Sequence, residues 1–200
     1  MNIILTIAGS DSGGGAGIQA DLKTFEALSA FGLTAITAVT AQNSQQVFGM
    51  LPIPPDLLKL QLQALREDFD IAAVKIGMLH NRENVQAVAQ WLKDFDGPVV
   101  LDPVMIATSG DRLSEDEITQ ELLATLAPLV TVITPNLPEI CTLLGVKVEP
   151  KTASALPDLA LKLYSQIEPV AVLLKGAHLF TENANGTLAI DYLIEKGVMH

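Results

Sequence analysis

Short apolar runs alternate along the chain with longer segments in which apolar residues recur every three or four positions. Six runs are rich in Val, Ile and Leu on both faces: Ile3–Ala8, Leu33–Val39, Ile71–Ile76, Val99–Leu101, Leu129–Ile133 and Val170–Leu174. Such runs are typical of parallel strands that are covered on both sides. The alternation therefore predicts repeated β-α units, a mostly parallel sheet and right-handed crossovers.

The segments between the runs predict amphipathic helices. Three have stripes at Ile18, Leu22, Phe25 and Leu28, ended by Gly32; at Leu58, Leu62 and Leu65, opened by Pro55; and at Val85, Val88, Leu92 and Phe95. A capping-box pattern precedes a fourth stripe: Ser114 and Glu117, then Ile118, Leu122 and Leu126. Two further helices are predicted at Leu137–Leu144 and Ser154–Gln166.

The end of the chain departs from this pattern. Asn185-Gly186 is a turn signal, and Thr187–Ile194 after it alternates like an antiparallel strand. We see no internal repeat and no linker. The pattern as a whole predicts one α/β domain over residues 1–200, doubly wound, with a mostly parallel sheet and helices on both faces.

Composition and charge narrow the class of protein. The chain has 200 residues, 49% hydrophobic and 18% charged, which suits one globular domain. A net charge of −11 disfavours nucleic acid and anionic membranes as partners. The N-terminus lacks the basic and apolar regions of a signal peptide, and the single Cys141 cannot form an internal disulfide. We therefore expect a soluble cytoplasmic protein.

Polar residues and glycines follow the predicted strands. In an open parallel sheet, ligands bind beyond the carboxyl ends of the strands, so these segments together mark a candidate active site. In chain order they are Gly9–Gly17, Ala41–Asn43, Gly77–His80, Asp102–Val104, Thr134–Glu139 and Lys175–His178. The glycine loop fits neither the Walker pattern nor the dinucleotide spacing, but it can bring backbone close to a ligand and open a helix.

Several side chains in or near these segments have two possible roles each, one in binding a ligand and one in the local structure. Asp21 falls on the buried stripe and in the predicted first helical turn, so it either binds a substrate donor or complements the helix dipole. Asn136 and Glu139 form a capping-box pattern that is compatible with a metal or phosphate nearby. Asp102 either binds Mg²⁺ or shapes a turn, and Lys175 either meets a phosphate or is solvated.

Four further residues were considered as candidates. Gln42 offers a donor and an acceptor that suit a pyrimidine or pyridine edge, or it is a surface amide. Lys75, inside an apolar strand, is expected to pair with a buried carboxylate. His80 and His178 have no companion at metal-ligand spacing, so neither is assigned to a metal.

These segments together resemble hydroxymethylpyrimidine/phosphomethylpyrimidine kinases. The resemblance covers essentially the whole chain and rests on six ordered segments: Leu5–Phe25, Thr37–Asn43, Lys75–Leu79, Leu101–Met105, Ile133–Glu139 and Leu174–His178. It implies a ribokinase-like fold. It also implies that ATP and Mg²⁺ are used to phosphorylate 4-amino-5-hydroxymethyl-2-methylpyrimidine and then its monophosphate, in thiamine biosynthesis.

The resemblance also implies roles for individual residues. By position, the pyrimidine site comprises Gly9, Asp21, Gln42 and Met78. The nucleotide side comprises Asn136, Glu139 and Lys175, and the Mg²⁺ ligands are Asp102 and Glu139. Members of the family continue beyond the position of His200 into a Gly-Thr-Gly-Cys segment, so the chain is expected to lack the family's C-terminal part. The catalytic group is accordingly expected beyond His200, and transfer by these 200 residues is expected to be slow.

Two other functions stay open from the sequence. A pyridoxal kinase would share the fold and accept a similar ring with a hydroxymethyl group. A catalytically inactive protein would bind the pyrimidine without transferring phosphate. Turnover with each alcohol separates the kinases, and binding without turnover would select the inactive protein. A homodimer is compatible with the resemblance.

Overall fold

The structure, a computed structural model, describes residues 1–104, 118–147, 150, 152–167, 170–176, 181–183 and 186–200. The predicted capping box at Ser114 and Glu117, as well as His178 and Asn185, lies outside these ranges. The strands within them are β1 Ile3–Asp11, β2 Phe31–Gln42, β3 Val47–Pro52, β4 Ala73–Ile76, β5 Val99–Leu101, β6 Val132–Ile133, β7 Ala171–Leu174, β8 Thr181–Asn183, β9 Gly186–Leu188, β10 Tyr192–Glu195 and β11 Val198–Met199.

Nine of these strands form one sheet, in the order β11-β10-β7-β6-β5-β4-β1-β2-β3. The central strands β2, β1, β4, β5, β6 and β7 are parallel to their neighbours in that order. The edge strands are antiparallel: β3 pairs with β2, β10 with β7, and β11 with β10. The predicted parallel, doubly wound α/β class is confirmed.

One lateral row of side chains crosses almost the whole sheet on its core face. Its members occupy paired positions on successive strands and are all fully buried: Ile7, Ile76, Leu101, Ile133, Val172 and Ile194. They belong to the main hydrophobic core together with Leu58, Val88 and Leu163 from three helices. Because burial of a large aliphatic side chain stabilises a fold by about 1.5–3 kcal/mol, this row anchors the sheet.

The helices lie on both faces of the sheet. They are α1 Gly17–Ala27, α2 Pro55–Asp68, α3 Arg82–Leu92, α4 Ile118–Glu121, α5 Leu137–Leu143 and α6 Leu156–Ile167. Helix α4 continues into a π-helical turn at Leu122–Leu126 and a 3₁₀ turn at Ala127–Leu129, and another 3₁₀ turn spans Ala153–Ala155. Successive residues of a strand face opposite ways, and Thr6 contacts α1 while Leu5 and Ile7 face the core. Helix α1 therefore covers the face opposite to α2, α3 and α6.

The structure corrects three local predictions. Strand β3 was not predicted, because it is a half-exposed edge strand with no apolar alternation of its own. Thr187–Ile194 is not one strand: its first part pairs with β8 in a hairpin and its second part, β10, joins the main sheet. Leu28 is 75% exposed and follows the end of α1, so it does not extend the buried stripe.

In the described parts of the chain, no helix has the length and apolarity needed to cross a bilayer.

Candidate active site

The strand order reverses between β1 and β4, because β1 has β2 on one side and β4 on the other. A crevice beyond the carboxyl ends of such strands is the usual ligand site of an open α/β sheet. Gly9 and Met78 meet there: a Cβ added to Gly9 would lie 2.5 Å from Met78 Cε. Gly9 therefore leaves the space that the Met78 side chain fills.

Met78 belongs to a small apolar cluster that is separate from the main core. It is buried against Ala38, and the partly buried side chains of Val47, Met50 and Val104 pack on the pair. The Thr37 hydroxyl donates a 2.6 Å hydrogen bond to the Met78 carbonyl, which fixes this turn. The cluster offers an apolar surface beside a strand end, as suits the face of a flat heterocycle.

Asp21 lies on the α1 face of the sheet. Its Oδ2 accepts hydrogen bonds from Thr6 Oγ1 at 2.6 Å and from Lys75 Nζ at 3.1 Å. The expected pairing of Lys75 with a buried carboxylate is confirmed. Because α1 begins at Gly17, Asp21 is in the second turn, and the first turn carries no acidic residue. Its predicted place in the first turn is wrong, and the helix-dipole interpretation of Asp21 loses its basis.

Asp11, at the end of β1, organises the glycine loop. Its Oδ1 accepts from the Gly13 N–H at 2.7 Å, and its Oδ2 accepts from Gly15 and Ala16 at 2.9 Å each. Burial raises the pKa of Asp11, but these N–H groups and the Gln42 side chain outweigh it, so the pKa lies below its usual value. In the described structure these N–H groups bind Asp11 rather than facing an open site. Sequence reasoning passed over Asp11, although an Asp just before glycines is an Asx-turn signal.

Gln42, at the end of β2, is tied to the same loop. Its backbone N–H donates to Ser12 Oγ at 2.8 Å, and the Ser12 hydroxyl is 2.7 Å from the Gln42 carbonyl oxygen. Its side chain also contributes a hydrogen bond to Asp11. The loop after β1 and the end of β2 are thus held together, and the Gln42 amide lies at the switch point.

A second cluster of polar side chains lies in the segments that follow β5, β6 and β7. Lys175 Nζ lies 2.7 Å from Asp102 Oδ1 and 3.9 Å from Glu139 Oε2. Thr134 Oγ1 donates a long bond of 3.4 Å to the same Asp102 oxygen. The structure therefore brings Asp102, Glu139 and Lys175 together, as their places at neighbouring strand ends predicted.

Glu139 is both a capping residue and a perturbed acid. Asn136 N–H donates to Glu139 Oε2 at 2.8 Å and Glu139 N–H donates to Asn136 Oδ1 at 2.9 Å, which completes the predicted capping box. Burial is the main cause that raises the pKa of Glu139 to about 7; the Asn136 N–H and Lys175 oppose it and Asp102 adds to it. A carboxylate poised near neutrality responds readily to an arriving cation.

The donor set of this group suits Mg²⁺ at phosphates. Among the residues that the structure describes, no three His, Cys, Asp or Glu side chains cluster as a complete metal cage. Mg²⁺ does not need such a cage, because it commonly keeps several waters and binds one or two carboxylates plus substrate phosphates. Asp102 and Glu139 supply two carboxylates, and Lys175 supplies a point charge for a phosphate.

The two groups occupy different parts of one sheet edge. Three strand spacings of about 4.8 Å separate β1 from β6, which is roughly 14 Å. That span suits a ring alcohol on one side and a nucleotide phosphate on the other. Together with the ribokinase-like sheet, this arrangement defines a small-molecule kinase.

Comparison with known proteins specifies the family. The profile of the phosphomethylpyrimidine kinase family matches residues 11–200, so the chain belongs to this family and is a phosphotransferase. Hydroxymethylpyrimidine/phosphomethylpyrimidine kinase of Haemophilus influenzae is 46% identical over 192 residues, covering 96% of this chain and 70% of that protein.

Solved structures agree with the sequence match. The crystal structure of phosphomethylpyrimidine kinase from Clostridium difficile has a TM-score of 0.85 and 38% identity, covering 100% of this chain and 83% of that one. An ADP complex of Bacillus subtilis pyridoxal kinase also has a TM-score of 0.85, with 36% identity, covering 100% of this chain and 74% of that one. The predicted ribokinase-like fold is confirmed.

Proposed function

We propose that the chain phosphorylates the hydroxymethyl group of 4-amino-5-hydroxymethyl-2-methylpyrimidine, and then the resulting monophosphate, with ATP in thiamine biosynthesis. The family and the names of its relatives support this function. The observations in the structure that carry it are the apolar Gly9–Met78 contact at the switch point of the sheet and the Asp21 carboxylate held by Thr6 and Lys75 from strands β1 and β4. A cytoplasmic location and a homodimer belong to the same proposal.

On the pyrimidine side, an apolar floor and polar groups have separate tasks. The ring lies against Met78, whose side chain fills the space that Gly9 leaves. Asp21 accepts a hydrogen bond from the ring's amino group, and Gln42 offers its amide to a ring nitrogen. These contacts place the hydroxymethyl oxygen toward the phosphate side, and such positioning is a large part of phosphoryl-transfer catalysis.

On the phosphate side, charge neutralisation is the main task. Asp102 and Glu139 would hold Mg²⁺, which neutralises phosphate charge when it is bound. Lys175 contacts a phosphate oxygen of ATP, and Asn136 keeps Glu139 in place through the capping box. The bound ADP of the related pyridoxal kinase supports ATP as the donor.

The test compares three substrates with the same protein. Binding of the pyrimidine alcohol, its monophosphate and pyridoxal is measured by calorimetry, and ATP-dependent product formation by mass spectrometry. We expect the pyrimidine alcohol to bind and to be phosphorylated in preference to pyridoxal. A preference for pyridoxal would replace the proposal with a pyridoxal kinase. Pyrimidine binding with no product would indicate a binding protein.

A further inference from the structure

Three polar side chains meet on the sheet face that α1 covers. Thr6 on β1 and Lys75 on β4 are paired in register, and both donate to Asp21 Oδ2 from α1. Thr6 is fully buried, and the side chains of Asp21 and Lys75 are only 15% and 23% exposed. One oxygen of the carboxylate therefore accepts hydrogen bonds from side chains on two adjacent strands.

The ammonium group of this cluster lies beside Gly77, the residue before Met78. A Cβ added to Gly77 would lie 3.1 Å from Lys75 Nζ and 3.1 Å from the Ala8 Cβ. Gly77 directly precedes Met78, whose side chain fills the space at Gly9. The segment from Lys75 to Met78 thus combines an ion pair, the space for it and an apolar contact surface.

Stability alone does not account for a lysine at this position. Removing an ammonium and a carboxylate from water costs several kcal/mol, and apolar residues often replace such a pair without loss of stability. Across the same face the next strand has Val100 at the position paired with Lys75, so an aliphatic residue, 36% exposed, occurs in the same row. An ion pair beside a ligand site is more simply explained by a role in binding the ligand.

We propose that Lys75 and Thr6 are positioning residues that aim Asp21 at the substrate's amino group. Both hydrogen bonds that the structure gives to Asp21 end on Oδ2, and this leaves Oδ1 for a donor on the ring. Gly77 provides the space in which Lys75 reaches the carboxylate. The inference rests on the proposed function, because it takes Asp21 as the substrate acceptor.

The test measures binding of 4-amino-5-hydroxymethyl-2-methylpyrimidine by calorimetry in a set of matched variants. Thr6→Val removes the hydroxyl at constant shape, and we expect affinity to fall about 10-fold. Lys75→Met removes the charge but keeps the stem, with an expected loss of about 10–100-fold. Thr6→Ser keeps a hydroxyl and should restore affinity to within about twofold of the unmodified chain.

Two controls separate aiming from general damage. Binding of Mg·AMP-PCP, which uses the other side of the site, should change by less than about twofold in these variants. Lys59→Met removes an exposed ion pair with Asp56 and should leave pyrimidine affinity unchanged. Thermal unfolding reports whether each variant is folded. If Lys75→Met does not fold, the pair Thr6→Val and Thr6→Ser decides the question.

The outcomes distinguish this inference from the function on which it rests. Asp21→Asn tests the acceptor itself, and unchanged pyrimidine affinity in that variant would contradict the proposed role of Asp21. Undetectable pyrimidine binding by the unmodified chain would count against the proposed function. If Asp21→Asn weakens binding but folded Thr6→Val and Lys75→Met bind normally, the positioning inference alone is overturned, and the two donors merely attach α1 to the sheet.

Discussion

Glu139 shows how one side chain can combine a structural and a chemical role. Its backbone N–H and its carboxylate complete the cap of α5, while burial raises its pKa to about 7. The cap requires only an acceptor oxygen, which either an acid or an amide supplies. The charge, by contrast, matters only when a cation approaches, so the two roles can be separated by substitution.

The raised pKa of Glu139 predicts a defined dependence of stability on pH. Between its ordinary value of 4.5 and about 7, the folded protein holds a proton that the unfolded chain has released. The stabilisation is therefore complete below about pH 4.5 and is lost as pH rises through about 7. Relative to Glu139→Gln, whose side chain does not titrate, the unmodified chain should lose up to about 3 kcal/mol of unfolding free energy across this window.

Denaturant unfolding of both proteins from about pH 5 to about pH 8 measures that difference. A constant difference over the whole range would show that Glu139 titrates as it does in the unfolded chain. At a pH above 8 or so, the same variant should bind Mg·AMP-PCP more weakly, because Gln lacks the charge that a metal ligand needs. Normal Mg²⁺-dependent nucleotide binding in this variant would show that Glu139 serves only to cap α5.

At the scale of elements, the start of α1 depends on backbone that only glycine allows. Gly17 has φ +55°, and a Cβ there would lie 2.3 Å from the Gly9 carbonyl oxygen. The same close approach joins the first residue of α1 to Gly9, near the end of β1, which in turn contacts Met78. The geometry of the helix start and that of the proposed pyrimidine site are therefore linked.

Gly17→Ala should damage stability and ligand binding together. We expect a loss of at least about 2 kcal/mol in unfolding free energy, because both the left-handed backbone and the carbonyl contact resist a methyl group. Gly49→Ala is the matched control, since a Cβ there meets nothing within 4 Å, and it should be neutral within about 0.5 kcal/mol. Equal stability of the two variants, measured by thermal unfolding, would mean that the loop simply rearranges.

At the scale of the whole molecule, the sheet separates two kinds of chemistry. Asp21 is held over β1 and β4, whereas Glu139 follows β6 and faces Lys175 at the end of β7. The apolar surface comes from strands β2 and β3, from Met78 after β4 and from Val104 after β5. The segments after β5, β6 and β7 contribute Asp102, Glu139 and Lys175. The two halves therefore share a rigid frame without sharing a side chain.

This separation predicts additive effects on binding. Asp21→Asn should weaken the pyrimidine and leave Mg·AMP-PCP unchanged, and Glu139→Gln should do the reverse. In the double variant, the binding free energies should add to within about 0.5 kcal/mol, as is usual for sites more than about 10 Å apart. Calorimetry of each ligand alone is the appropriate measurement. A large coupling energy would reveal a conformational change that connects the halves.

Local sequence patterns were sufficient to predict the arrangement of most strands and helices in this protein. The apolar run Val99–Leu101 predicted a strand with those bounds, and β5 spans them without change. The predicted burial holds for Val99 and Leu101 on the core face, whereas Val100 on the other face is 36% exposed. The same reasoning located the helices and assembled the polar strand ends at one edge. The family segments then identified residues whose proposed roles suit that edge, from Gly9 to Lys175.

Which of these residues contact one another depends on the three-dimensional arrangement of distant strands. Lys75 was expected to meet a carboxylate, but the partner is Asp21, 54 positions away in the chain, and register across two strands brings Thr6 to the same oxygen. Strand β3 forms because it pairs with the free edge of β2. Its own sequence has no apolar periodicity that would predict a strand. Local patterns record burial and turns, whereas pairing partners depend on how distant strands align.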